Sequence, residues 1–183
     1  GQLSPAMELY YDVMWLHPES GIAEKARKKL RDYSERKLWD MPKLGASEIY
    51  SYAERLYGVK EYGKAAVQYE LLARQQQSHH LADDAALKMA LCAYNEKRYD
   101  RALENLQYLY SGFPDSPHRA QALYWTGKVY QARRQDERFS GNVALLQGSF
   151  KNSVWTAKAV FDMARSHEEQ GEYSSALYMY RTI

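Results

Sequence analysis

The sequence has a single cysteine in 183 residues, Cys92, so no internal disulfide can contribute to the fold. Cys92 sits in an apolar helical run with no histidine in the same repeat phase, and reads as a small core residue rather than a nucleophile. Only five prolines and ten glycines occur, against 45% apolar and 26% charged residues, which excludes a disordered or low-complexity chain. An excess of one charge is missing too, since 25 Lys and Arg meet 23 Asp and Glu for a net +2. A nucleic-acid binder working by bulk electrostatics would carry a basic stripe and a much higher pI, so no nucleic-acid partner is expected. No apolar run approaches the roughly 18–20 residues of a membrane span, and the N-terminus shows no basic stretch followed by an apolar one. Neither a membrane span nor an export signal is therefore expected in this chain. There is also no Gly-rich phosphate loop, no CxxC and no HExxH; "HEEQG" lacks a second histidine four residues after His167. No cofactor, metal or catalytic residue is called for by any motif.

Tyrosine, by contrast, is abundant, with 17 copies, and its placement is periodic. "EYGKAAVQY", "RYDRALENL" and "EYSSALYMY" place Tyr62, Tyr99 and Tyr173 at spacings of 37 and 74 residues, which implies a degenerate copy centred near Asp136. Columns not used to find the repeat obey the same step: Ala53, Ala90, Gly127 and Ala164; Ala85, Ala122 and Ala159; Tyr69, Leu106, Val143 and Tyr180; Leu72, Leu109, Leu146 and Ile183. The column Ala65, Ala102, Phe139, Ala176 fails only in the third copy. Within a copy, apolar residues recur every three or four positions on both sides of "NEK", so the unit is a helix, a tight turn and a second helix. Small residues on both helices permit close approach, and the tyrosine opening the second helix should pack across the turn.

The pattern of a small residue, an aromatic nine positions on and an alanine three further resembles the tetratricopeptide repeat, at Ala53/Tyr62/Ala65, Ala90/Tyr99/Ala102 and Ala164/Tyr173/Ala176. The resemblance implies an all-α fold, a right-handed superhelix (α-solenoid) of helical hairpins with period 37. The third copy departs from it at Asp136 and Phe139, so a displaced second helix or a lengthened turn is expected around "RRQDERFSGN". The extra residues of the period fall in the loop between hairpins. There "FPDSPHRAQALYW" places Ser116 as a helix cap, Pro117 as first helical residue and Phe113 as a plug between hairpins. Ser153 and Phe150 repeat those roles one period later.

The N-terminal third has the same grammar out of register: a helix from about Ala6 to Leu16, the turn "HPES" and a second helix near Ile22. Pro18, Ser20 and Ala26 correspond to Pro114, Ser116 and Ala122, 96 residues on. Residues 1–37 thus read as an irregular helical pair, 38–47 ("LWDMPKLGAS") as a connector and 48–183 as repeats at about 48–77, 80–112, 117–149 and 154–183, all one continuous helical domain. Ser47 is the expected cap of the first regular repeat. Residues 22–37 hold seven Lys or Arg against three Asp or Glu, a solvated face or a site for an anionic partner. His79 and His80, with Asp83 and Asp84 behind them, are the nearest approach to a metal cluster and read instead as loop residues beside a helix start.

"FPDSPHRAQALYW" also resembles repeats of bacterial envelope proteins, both the tetratricopeptide factors of outer-membrane assembly and the Tol-Pal system and the N-terminal helical region of soluble lytic murein transglycosylases. The second resemblance covers residues 4–183, beginning with Ala6, Leu9, Tyr10, Met14-Trp15, Pro18 and Ser20. It implies a periplasmic or cell-envelope location and a non-catalytic region that binds peptidoglycan or a protein partner for a catalytic domain beyond residue 183. The first resemblance implies a protein-binding adaptor. The catalytic glutamate of such enzymes precedes Ser-x-Phe and a Gly-Leu-Met-Gln stretch; Glu19-Ser20 is followed by Gly21-Ile22 and occupies the capping slot of Asp115-Ser116, so it is read as a cap. The ligand-facing positions of the tetratricopeptide pattern fall on Tyr50, Tyr57, Tyr94, Tyr124, Lys128 and Arg165. Exposed apolar repeat ends imply a homodimer.

Overall fold

A computed structural model describes residues 4–18, 20–36 and 45–183. Ten α-helices, and no strand, occur among them: α1 Ser4–Leu16, α2 Gly21–Glu35, α3 Ala46–Gly58, α4 Tyr62–Gln75, α5 Ala82–Asn95, α6 Tyr99–Gly112, α7 Arg119–Ala132, α8 Asp136–Ser149, α9 Val154–Glu169 and α10 Tyr173–Tyr180. Two compact units, Gly1–Ala85 and Ala86–Ile183, divide within α5. In the first, α1 packs on α2 and α3 on α4; in the second, α7 packs on α6, α8 and α9, and α9 on α10. Glu19 and most of the connector, including Pro42, lie outside the described residues.

The turn inside each of the four regular hairpins, from α3 to α10, repeats the same backbone geometry. Lys60, Lys97, Arg134 and Gly171 all have positive φ (65°, 59°, 56° and 80°), one period apart. The residue after each returns a 6→1 bond to the first helix: Glu61 N to Leu56 O, Arg98 N to Ala93 O, Gln135 N to Tyr130 O and Glu172 N to His167 O, at 2.8–2.9 Å. This is a left-handed C-terminal cap, which consumes a carbonyl that the helix end would otherwise strand. The third copy obeys it fully. The expected displacement around 131–142 is absent, because α8 begins at Asp136 in the same register as α6 at Tyr99.

The size change in that copy has a compensating partner. Phe139 stands where the other copies have alanine, and Gly127 on α7 stands where they have alanine on the facing helix. A Cβ on Gly127 would meet the Phe139 ring at 3.3 Å and Asn142 Oδ1 at 2.7 Å. Phe139 is buried with Val143, Leu146, Leu123 and Val160. The predicted columns are core: Ala53, Ala90 and Ala164, Tyr69, Leu106 and Val143, Leu72, Leu109 and Leu146 are all buried. The last copy frays from this pattern, since Ile183 lies beyond the end of α10 and is exposed. Tyr57–Tyr62 and Tyr94–Tyr99 do pack across their turns, at 5.2 and 5.9 Å between centroids. Tyr173 does not; its counterpart is Glu168 and it remains 70% exposed.

The loops between hairpins repeat as well. Ser153 caps α9, its Oγ accepting from Trp155 N at 3.2 Å, and Ser20 caps α2, accepting from Ala23 N at 3.0 Å. Ser116 accepts from His118 N at 3.1 Å, yet the helix starts at Arg119, two residues after the expected Pro117. A 3₁₀-type bond from Arg119 N to Ser116 O fills the gap. In the same slot one period earlier, His79 Nδ1 accepts from Leu81 N at 3.3 Å, so this histidine does the serine's work. The first regular repeat is capped at Gly45, whose N–H donates to Glu48 Oε2 at 2.7 Å; Ser47 lies inside α3. Phe150 packs on the core beside α8 and α9, and half-buried Phe113 meets Tyr108 edge-on at 5.7 Å.

Candidate binding surface

In the unit Ala86–Ile183 the first helices of three successive hairpins, α5, α7 and α9, carry a connected row of aromatic rings. Tyr99 at the start of α6 contacts Tyr94 on α5, Tyr94 contacts Trp125 on α7 at 5.0 Å, Trp125 contacts its neighbour Tyr124 at 5.7 Å, and Tyr124 contacts Trp155 on α9 at 5.3 Å. Two of these four contacts, Tyr94–Trp125 and Trp125–Tyr124, are edge-on, an arrangement favoured by ring quadrupoles and worth about 0.5–1.5 kcal/mol a pair beyond burial. Lys158 Nζ sits 4.2 Å from the Trp155 ring centre, a cation–π contact that ends the row.

One carboxylate organises the middle of the row. Asp162 on α9 accepts from Tyr124 Oη at 3.1 Å and from Lys128 Nζ at 3.0 Å, and Lys128 also donates to Gln131 at 2.8 Å. The lysine and aspartate side chains are only 25% and 18% exposed, so this bridge works in a lower dielectric than a surface pair. Burial, and then the Asp162 charge and hydrogen bond, push the Tyr124 hydroxyl up to about 12. Tyr94 is raised by burial, then by Tyr99 and Asp162. Beyond them Arg165 is exposed and pairs with Glu169 at 3.4 Å. Phe161, also on α9, is 48% exposed.

Of the six ligand-facing positions expected from sequence, Tyr94, Tyr124 and Lys128 come together around Asp162, and Arg165 lies one helical turn past it. Tyr50 and Tyr57 belong to the other unit and are engaged internally. The Tyr50 ring meets Tyr69 edge-on and its hydroxyl donates to Asp84; burial first, then that hydrogen bond and the Asp84 charge, raise its pKa strongly, and Tyr57 packs on Tyr62. Trp125, Trp155, Lys158 and Asp162 were not among the expected positions. A signal for Asp162 was available: Tyr50 to Asp84 and Lys128 to Asp162 each span 34 residues, one period less one turn, the offset that joins consecutive first helices.

The row offers stacking surface and a buffered charge pair, which suit binding. Cys92 is fully buried, and no group of three His, Cys, Asp or Glu side chains able to hold a metal occurs among the described residues. No helix among them is long and apolar enough to cross a membrane.

Residues 84–116 match the family model "Tetratricopeptide repeat". Similar solved structures include MamA 41-end from Desulfovibrio magneticus RS-1, at 16% identity and TM-score 0.57, covering 98% of this chain and 94% of that one. A putative kinesin light chain with nearly identical TPR-like repeats from Podosopora anserina aligns at 13% identity and TM-score 0.56, over 96% and 90%. BtubC (BKLC) from P. vanneervenii aligns at 14% and 0.58, over 96% and 67%. No curated protein sequence matches. At such identities the likeness concerns the fold alone, and it agrees with the turn geometry and the periodic core: the chain is an all-α, tetratricopeptide-like helical-repeat protein.

Proposed function

We propose that this chain is a non-catalytic scaffold that binds a protein or peptide partner along the row on α5, α7 and α9. Tetratricopeptide-like repeats generally serve protein binding rather than catalysis. The observation that carries the proposal is the half-buried Lys128–Asp162 pair set among Tyr94, Tyr124, Trp125 and Trp155, since aromatic anchors around a desolvated polar centre are what binding hot spots are made of. Selection from a random peptide library on the immobilised chain tests it. Recovered peptides should bind the unaltered chain and lose at least about tenfold in affinity to Trp155→Ala, consistent with aromatic hot-spot truncations of 2 kcal/mol or so. Peptides indifferent to that substitution would refute the surface.

A second reading keeps the fold and changes the ligand. As the accessory region of a lytic transglycosylase in the bacterial periplasm or envelope, the chain would hold peptidoglycan strands for a catalytic domain encoded after residue 183. Support comes from the sequence resemblance and from Tyr124 and Trp155, rings of the kind that stack on sugars. Sedimentation with purified sacculi separates the readings: retention abolished by Trp155→Ala favours glycan, and no retention removes it. The adaptor role in outer-membrane assembly or Tol-Pal systems belongs to the first reading. Exposed Tyr173, Leu177 and Tyr178 on α10 support self-association, which ultracentrifugation measures directly.

A further inference from the structure

In the unit Gly1–Ala85, α1 and α3 border an open cleft of about 520 Å³. Its aromatic wall is Tyr11 and Trp15 on α1, 6.1 Å apart, with Tyr52 edge-on to Trp15 at 4.8 Å. Asp12 on α1 and Glu48 on α3 also line it, one carboxylate from each helix. Among the described residues neither carboxylate has a cation within ion-pair distance. Glu48 is held in place because its Oε2 accepts the Gly45 N–H at 2.7 Å, which leaves Oε1 to a ligand. Its charge is felt inside the cleft: burial and, more weakly, Glu48 raise the Tyr11 hydroxyl. Arg55, the one cation among the described lining residues, is committed at the rim, where Nη1 donates to the Trp15 carbonyl at 2.8 Å near the end of α1. Among the described residues, two carboxylates and one guanidinium leave the cleft lining net negative.

We propose that this cleft takes a lysine or arginine side chain of a partner polypeptide, its aliphatic stem against Trp15 and Tyr11 and its charge shared by Asp12 and Glu48. A long cationic side chain satisfies both halves of the lining at once, apolar stem on rings and charged head on carboxylates. An anionic ligand would meet two carboxylates, and a purely apolar one would desolvate them without return. The inference is independent of the surface on α5, α7 and α9, which has its own carboxylate and its own test.

The probes are Nα-acetyl-lysine methylamide, Nα-acetyl-arginine methylamide and the neutral Nα-acetyl-norleucine methylamide, titrated into the whole chain and followed by the Trp15 indole N–H signal in nitrogen-edited NMR spectra. The expected result is a saturable shift with both cationic probes and at least about fivefold weaker binding of norleucine. The double variant Asp12→Asn/Glu48→Gln preserves shape and an acceptor for Gly45 N–H; it should weaken the cationic probes about fivefold and leave norleucine unchanged. Unchanged circular dichroism establishes that this variant is folded, and Arg55→Gln, which removes the rim cation, should strengthen the cationic probes. Equal binding of norleucine, cationic binding unaltered in the double variant, or no movement of the Trp15 signal with any probe would each overturn the proposal.

Discussion

Replacing Gly127 with alanine isolates the one place where this repeat breaks its own rule. Two effects oppose each other. Alanine is favoured over glycine inside a helix by about 1 kcal/mol. Against that, the new methyl would lie 2.7 Å from Asn142 Oδ1 and 3.3 Å from two atoms of the Phe139 ring. Both neighbours are buried, so neither can swing into solvent, and overpacking of this kind costs roughly 1–3 kcal/mol. Gly127→Ala should therefore destabilise by about 1 kcal/mol net. With Phe139 cut to alanine the ring contacts disappear and Asn142 gains room to shift, and the pair becomes the Ala/Ala of the second copy, Ala90 and Ala102, where the equivalent Asn105 is accommodated with its amide donating to the Met89 carbonyl at 3.4 Å. Phe139→Ala alone should cost about 3–5 kcal/mol through the cavity it leaves. In that background, however, Gly127→Ala should turn stabilising by up to about 1 kcal/mol, a coupling near 2 kcal/mol. Urea unfolding of the four chains, followed by far-UV circular dichroism, measures the cycle. Simple additivity, or a stabilising Gly127→Ala in the unaltered chain, would refute the compensation.

Lys97→Gly should stabilise by roughly 0.5–1 kcal/mol because its φ of 59° strains a side chain, whereas Gly171→Ala, at φ 80°, should cost about 1 kcal/mol; thermal melts compare them. Asp162→Ala strands the Lys128 charge and the Tyr124 hydroxyl and should cost about 1–3 kcal/mol, while Glu169→Ala, which breaks the exposed pair to Arg165, should stay under about 0.5 kcal/mol. Tyr124 keeps its proton up to about 12 in the folded chain and releases it near 10.0 when unfolded, so the folded state binds more protons between those values. Stability should be intact below pH 10 and fall as pH rises towards 12, and Tyr124→Phe should flatten that slope in pH-dependent melts; a decline already complete by pH 9 would contradict the assignment.

Much of this fold was legible because the period is strict at positions that must be small or apolar. Ala53, Ala90 and Ala164 are fully buried, as their column required. What escaped was chemistry carried by the backbone. Gly171 announces a left-handed turn residue, but Lys60, Lys97 and Arg134 adopt the same conformation with nothing in their side chains to signal it. The third copy looked displaced because Phe139 was compared with alanine along its own column, when the compensating glycine is on the facing helix. His79 hid its role for a related reason: an imidazole nitrogen stands in for the serine oxygen that the other loops use. At the binding surface, Tyr94, Tyr124 and Lys128 followed from repeat phase, but Asp162 required the cross-helix offset of 34, which depends on how consecutive hairpins stack. Asn105 and Asn142, one period apart and both buried, form a further column that the apolar pattern could not reveal.

In the proposed binding mode first helices, not second ones, meet the partner. A photo-crosslinking amino acid placed at Phe161 on α9, which is 48% exposed, and separately at Tyr178 on α10, which is 72% exposed, tests it directly. Each labelled chain is irradiated with a peptide recovered by library selection, and the adducts are read by mass spectrometry. A peptide adduct from position 161 and none from 178 is the expected result. Crosslinking from 178 with none from 161 would contradict it.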